Sequence, residues 1–343
     1  MKHSSFKYRL MSAASLSAIL LLATGCVHEF PEGGGKPPTL DVNLTFDLGM
    51  PVHEIVSYPQ VRAGNNVELR YTLWAWNLDN GEDLAKRPPE LTFQWSGDNL
   101  SNPDSKIHID KINPGTWQFY GWADLANADT GMPLAYDIED PSAINLITER
   151  DGSFEAVPWA DAFRGEDGVA ICCTDAEQLT IEMSRPVGEF EFISTDLEKF
   201  VEEQTRRNAE TKSSDSPDRV VNLNDYVVGY HINGFFPTEF DNLRNMPVDA
   251  KAGLFSRGQI SPNEDGTGSL GGCYVLVNGK ETKVSVTVRV YDRGSVIATS
   301  LPVEVPVVRG KKTLIKGEFL TANAGSGLGI NPDFDGEYNY EVE

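Results

Sequence analysis

The chain has 343 residues, 29 basic against 51 acidic, with a formal charge of −22 at pH 7. Its length suits two domains, and six Trp, eleven Tyr and sixteen Phe supply the apolar area for their cores, which excludes wholesale disorder. So acidic a chain repels phosphate backbones, which excludes nucleic acid as a partner and peripheral binding to anionic lipid.

The first segment reads as an address. Lys2, Lys7 and Arg9 precede an uncharged apolar run, Leu10 to Ala23. At about 14 residues the run is shorter than the ~20 a spanning helix needs, so residues 1–25 are expected to be a cleaved signal. It ends in Leu22-Ala23-Thr24-Gly25-Cys26, similar to a bacterial lipobox, with Leu one place early. That likeness implies acylation of Cys26 and anchoring in outer-membrane lipid, since two or three acyl chains hold where one does not. Loss of Lys2, Lys7 and Arg9 takes the mature chain to near −25. Residues 26–38, with Gly33-Gly34-Gly35 and Pro37-Pro38, read as a flexible tether. No later segment is apolar and long enough to cross a bilayer as a helix.

Beyond the tether, period-two alternation dominates. Leu40, Val42, Leu44, Phe46 and Leu48 alternate with polar residues, as do Val67, Leu69, Tyr71 and Leu73. Leu179, Ile181 and Met183, then Phe190 and Phe192, repeat the pattern, and Val284, Val286, Val288 and Val290 give its clearest case. Such segments put one face on a core and one in water, as antiparallel sandwich strands do. Turns at Asn80-Gly81, Asn113-Pro114-Gly115, Arg293-Gly294 and Arg309-Gly310 separate them. One helix is expected over roughly 195–207, with Leu197, Phe200, Val201 and Gln204 on one face and a capping box Thr195-x-x-Glu198. A polar loop over 209–218 follows. A break at Ser184-Arg185-Pro186 divides the mature chain into domains 39–185 and 186–343. Pro302 and Pro306 confine the strand around Leu301 to Val307 to a sheet edge, since proline donates no ladder hydrogen bond.

Few residues invite chemistry. The mature histidines His28, His53, His108 and His231 form no HExxH, and no GxSxG marks a nucleophile. The expectation is a non-enzyme without cofactor or metal. Acidic turns at Asp79–Asp83, Asn263–Gly266 and Asp333–Gly336 lack calcium-loop spacing and read as hairpin turns. Cys172 and Cys173 are too close to pair with each other, and either can pair with Cys273 in an oxidising compartment; three buried thiols fit the spacing equally. Trp74 and Trp76 fall in the outward register of their strand, and Trp117, Tyr120 and Trp122 gather near a turn. Both sugar stacking and packing between sheets or domains account for them.

Together these segments resemble the fimbrillin superfamily of Bacteroidetes, subunits of the type V pilus. The likeness runs through the lipobox, Arg70-Tyr71-Thr72-Leu73-Trp74-Ala75-Trp76, and the hairpin from Ile112-Asn113-Pro114-Gly115 to Gly121-Trp122-Ala123. It continues through Arg185-Pro186-Val187-Gly188-Glu189-Phe190-Glu191-Phe192, then Gly229 to Asp241, and ends with Arg309-Gly310-Lys311-Lys312 and Asn331-Pro332-Asp333-Phe334-Asp335. The resemblance is strongest to anchor-like and accessory lipoproteins. It implies two tandem transthyretin-like β-sandwiches and assembly with other fimbrial subunits by strand complementation. It also implies a cell-surface or periplasm-facing location at the outer membrane, a host or bacterial surface ligand, and no catalytic residue. Polymerising members lose their first strand after a basic residue, a role Arg62 is placed to take here; an ordinary loop arginine is the alternative. A surface glycan-binding lipoprotein of a carbohydrate-uptake system shares the signal, the acidity and the tandem sandwiches.

Overall fold

Alternation of apolar and polar side chains does set the strands, and it also decides which faces meet. The computed structural model describes residues 40–48, 67–81, 83–97, 105–154, 159–171, 177–210, 220–322 and 339–341. The signal, the tether, the 211–218 stretch, the Asp333–Gly336 turn, Cys26, Arg62, Cys172 and Cys173 lie outside the described residues.

In chain order the first strands are β1 (Leu40–Asp47), β2 (Val67–Asn77), β3 (Leu91–Gly97), β4 (Ser105–Ile112), β5 (Gly115–Asn127), β6 (Tyr136–Asp137), β7 (Ile144–Leu146), β8 (Ala162–Ile171) and β9 (Glu177–Glu182). Then come β10 (Val187–Ser194), helix α1 (Leu197–Glu210), β11 (Tyr226–Ile232), β12 (Phe235–Asp241), β13 (Met246–Ala252) and β14 (Phe255–Gln259). The last are β15 (Ser261–Pro262), β16 (Gly268–Leu276), β17 (Glu281–Asp292), β18 (Ser295–Thr299), β19 (Val303–Val308), β20 (Lys311–Gly317) and β21 (Asn339–Glu341). The protein is mainly β, with two sandwiches in tandem and one α-helix among the described residues, in the second.

The first sandwich packs a three-stranded sheet, ordered β4-β1-β9, on a four-stranded one, β3-β2-β5-β8. Val42, Leu44 and Phe46 meet Leu69, Tyr71, Leu73, Phe119 and Phe163 in one core. The second sandwich packs β15-β16-β10-β20-β21 on β14-β11-β17-β18, with β19 also on β17. Phe190, Phe192, Val284, Val286, Val288 and Val290 lie in its core, each at most 2% exposed. β19 pairs along one side with β17, the edge position its prolines require.

Strands β2 and β5 depart from the simple alternating picture, because both of their faces are buried. The outward register of β2 packs in one cluster with the segment carrying β6 and β7, and at Trp76 also against the chain around Leu84 and Arg87. That segment continues into the second sandwich, since β7 pairs with β12 in the sheet β13-β12-β7-β6. Arg70 and Asp124, register partners on β2 and β5, form a buried two-pronged pair, Nε to Oδ1 2.8 Å and Nη2 to Oδ2 2.5 Å. Arg70 Nη2 also donates to the Tyr136 carbonyl at 3.1 Å, which pins the covering segment to the sheet.

Helix α1 buries Leu197, Phe200 and Gln204, with Val201 half-buried, so the expected stripe is the packed one. It begins at Leu197, two residues after Thr195, the expected cap, and extends three residues beyond 207, so that residues 209 and 210 of the expected loop are helical. The residue at its entrance is Asp196, whose carboxylate accepts from the Leu320 and Thr321 N–H groups at 3.3 and 2.8 Å. A long-range tie to the end of the sandwich thus occupies the carboxylate beside the helix start.

Candidate functional site

Strand β1 is the first described element and the middle of its sheet. An apolar residue at every second position gives it one face that must find a core. Val42, Leu44, Phe46 and Leu48 are each at most 1% exposed. The Phe46 ring centroid lies 5.2 Å from that of Trp95 and 6.0 Å from that of Tyr71. Its edge crowds Gly121 so closely that a Cβ there would come within 2.9 Å of Phe46 Cζ. The β1 backbone pairs antiparallel with β4 on one side and parallel with β9 on the other. Among the described residues β4 and β9 share no ladder, so β1 alone joins them in that sheet. At ~1.5–3 kcal/mol per buried side chain, its four inward residues contribute on the order of 10 kcal/mol, comparable with the net stability of a whole domain.

The aromatics singled out from the sequence are packed between layers. Trp74, Trp76, Trp117 and Trp122 are at most 4% exposed and Tyr120 is 8% exposed. Trp122 meets Tyr136 edge-on, with centroids 5.7 Å apart, and Phe240 of the second sandwich at 5.9 Å. Trp76 Nε1 donates to the Arg87 carbonyl at 3.2 Å. None of these rings is placed to stack on a sugar.

A different aromatic surface, absent from the sequence-based expectations, lies on the outer face of the β14-β11-β17 sheet. His231 is stacked on Phe255, with centroids 5.6 Å apart and planes at 14°. Its Nε2 lies 2.7 Å from the Tyr291 hydroxyl. Tyr291 reaches His231 diagonally across Gly229, where a Cβ would sit 3.0 Å from Tyr291 Cε2 and 3.2 Å from His231 Nε2. Register places Arg257 and Arg289 on either side of Gly229. Burial first, and the Arg289 charge second, push the His231 imidazole below its ordinary value. The sequence signal available was Val227 and His231 in the outward register of β11 and Tyr291 in that of β17, strands whose inward register was already full.

Other candidates resolve into structural roles. Cys273 is fully buried, and burial pushes its thiol far above the ordinary range. Asp265 Oδ1 accepts from the Thr267 N–H at 3.0 Å and its hydroxyl at 2.6 Å, closing a hairpin turn. Asn77 Oδ1 accepts from the Asp79 N–H at 2.9 Å and caps the short turn over Leu78–Asn80 in the same way. The fold also gathers exposed Asp41, His108 and Asp110 across β1 and β4, with His108 Nε2 2.8 Å from Asp110 and Nδ1 2.8 Å from Asn43. This is a cross-strand polar cluster open to solvent. No helix among the described residues is long and apolar enough to cross a membrane.

Fold and site define a tandem β-sandwich protein whose first described strand completes its N-terminal sheet. The chain belongs to a family of unknown function, DUF6562, matched over residues 37–343. No curated protein matches it. Solved structures similar to it include a Bacteroides thetaiotaomicron protein provisionally named as polysaccharide binding (DUF1812), at 14% identity and a TM-score of 0.43, covering 76% of this chain and 79% of that one. The fimbrial anchor protein Mfa2 from Porphyromonas gingivalis is similar at 10% identity and a TM-score of 0.37, covering 77% and 82%. A fimbrial assembly protein from Parabacteroides distasonis is similar at 9% identity and a TM-score of 0.36, covering 82% and 91%. At these values the likenesses transfer no function.

Proposed function

We propose that the chain is an anchor-like or accessory fimbrial subunit, held in outer-membrane lipid through acylated Cys26 and joined to other subunits by strand complementation. The observation that carries this reading is the seat of β1: one strand, paired on both edges, filling a slot between β4 and β9 that nothing else closes among the described residues. A strand so placed is the kind of element that one subunit can supply to another, because main-chain pairing gives affinity and alternate side-chain pockets give register. The motif series that resembles fimbrillins supports the same reading, with sandwich domains divided near Arg185. An anchor retains both β1 and its lipid, whereas cleavage after Arg62 would remove them together and leave a slot that must take a donor strand. The test is the N-terminus of protein released from its native surface. A lipidated Cys26 with β1 retained is the expected result. A free Ala63 in SDS-resistant polymers would overturn the anchor reading and make the chain a polymerising subunit.

A further inference from the structure

The outer face of the β14-β11-β17 sheet is open, and a groove of about 500 Å³ lies along it. This is within the usual range for small-ligand sites. Rings from three neighbouring strands line it, His231 stacked on Phe255 on one side and hydrogen-bonded to the Tyr291 hydroxyl on the other, and none is fully buried. Glycine at 229 leaves room for this contact, because a Cβ there would sit 3.0 Å from Tyr291 Cε2 and 3.2 Å from His231 Nε2 and the rings would have to give by a few tenths of an ångström. Arg257 lines the same groove and its guanidinium lies 5.2 Å from the Phe255 centroid. Arg289 sits across Gly229 from it, close enough for its charge to act on His231. Two arginines beside an aromatic platform are out of character for a chain of charge −22. Asp151 feels the Arg257 charge, but its carboxylate is engaged by the Ser153 N–H and hydroxyl at 2.9 and 2.7 Å.

We propose that this face binds an acidic carbohydrate, one sugar ring lying on the His231–Phe255–Tyr291 surface while its carboxylate is drawn to Arg257 and Arg289. A pyranose has an apolar face of C–H bonds that suits the negative face of an aromatic ring. A carboxylate suits the planar guanidinium fork better than any neutral hydroxyl does. A peptide strand is a poor match, since the β11 backbone is already paired on both sides and offers no edge for strand addition. The site is independent of how the chain is anchored or assembled, so it stands or falls apart from the fimbrial reading.

The experiment is a titration of the full chain in detergent, at low ionic strength, with a galacturonate trisaccharide, the neutral galactose trisaccharide and triglutamate. The expected result is saturable binding of the acidic sugar, with the neutral sugar weaker by roughly tenfold or more, the difference a charged hydrogen bond makes. Arg257→Gln, an exposed change that leaves the core untouched, should remove most of that preference, and Tyr291→Ala should weaken both sugars. Absence of binding by the wild-type chain, or unchanged binding by Arg257→Gln, overturns the proposal. Equal binding of triglutamate also overturns it, because charge alone would then explain the site.

Discussion

Arg185 holds Asp161 in a buried ion pair where the chain passes from β9 to β10. Its Nε lies 2.9 Å from Oδ1 and its Nη2 3.0 Å from Oδ2, with side chains 5% and 1% exposed. The guanidinium covers the Phe163 ring at 4.7 Å, and the Arg185 carbonyl accepts from Arg309 Nε at 3.2 Å. One residue thus ties β8 of the first sandwich to the β19–β20 turn of the second. Asp161→Ala strands the guanidinium in a dry site and should cost about 3–5 kcal/mol. The double variant with Arg185→Met should recover part of that loss, because the uncompensated charge is gone. Urea unfolding midpoints of the two variants check this; a double variant no more stable than Asp161→Ala would refute it.

Gly272 lies against the β10 backbone. A Cβ there would sit 1.6 Å from the Phe190 carbonyl oxygen, which is main chain and has nowhere to move. Gly272→Ala should therefore disrupt the β10–β16 ladder and cost about 3 kcal/mol or more. Thermal denaturation measures it, and a variant that melts with the wild type would show that this contact is not enforced.

His231 makes stability depend on pH in a definite direction. Burial and the Arg289 charge hold its folded value below the ordinary one, so the unfolded chain takes up a proton first as pH falls. The contribution is complete above the ordinary imidazole value of about 6.5 and is lost as pH falls from there toward the folded value. His231→Asn should lose less stability than the wild type between about pH 7.5 and 5. Parallel losses in the two proteins would remove His231 from the account.

Processing at Cys26 is separable from folding. Cys26→Ala should accumulate as an uncleaved precursor and take up no fatty-acid label in cells, while its β1 register and unfolding midpoint stay unchanged. Continued labelling of that variant would place the lipid on another residue.

Much of this protein follows from its sequence alone, and for one reason: an alternating strand needs only a single apolar neighbour on one side. Leu40 to Leu48 and Val284 to Val290 announce their own strands, and the 3.6-residue stripe through Leu197, Phe200 and Gln204 announces its helix, because those periods are local. Pro302 and Pro306 likewise reveal an edge, since a missing N–H is a property of the residue itself. What covers a second face is a long-range fact. Trp74 and Trp76 stand in an outward register and are buried nonetheless, in a cluster with Tyr136, Ile144 and Leu146 of a segment that goes on to pair with Phe240, while Trp76 also meets the chain around Arg87. The meeting of His231, Phe255 and Tyr291, distant in sequence, required the pairing of β11 with both β14 and β17. Periodicity determined which residues turn inward and which outward; only tertiary structure decided which outward faces stay in water, because that depends on chain arriving from dozens of residues away.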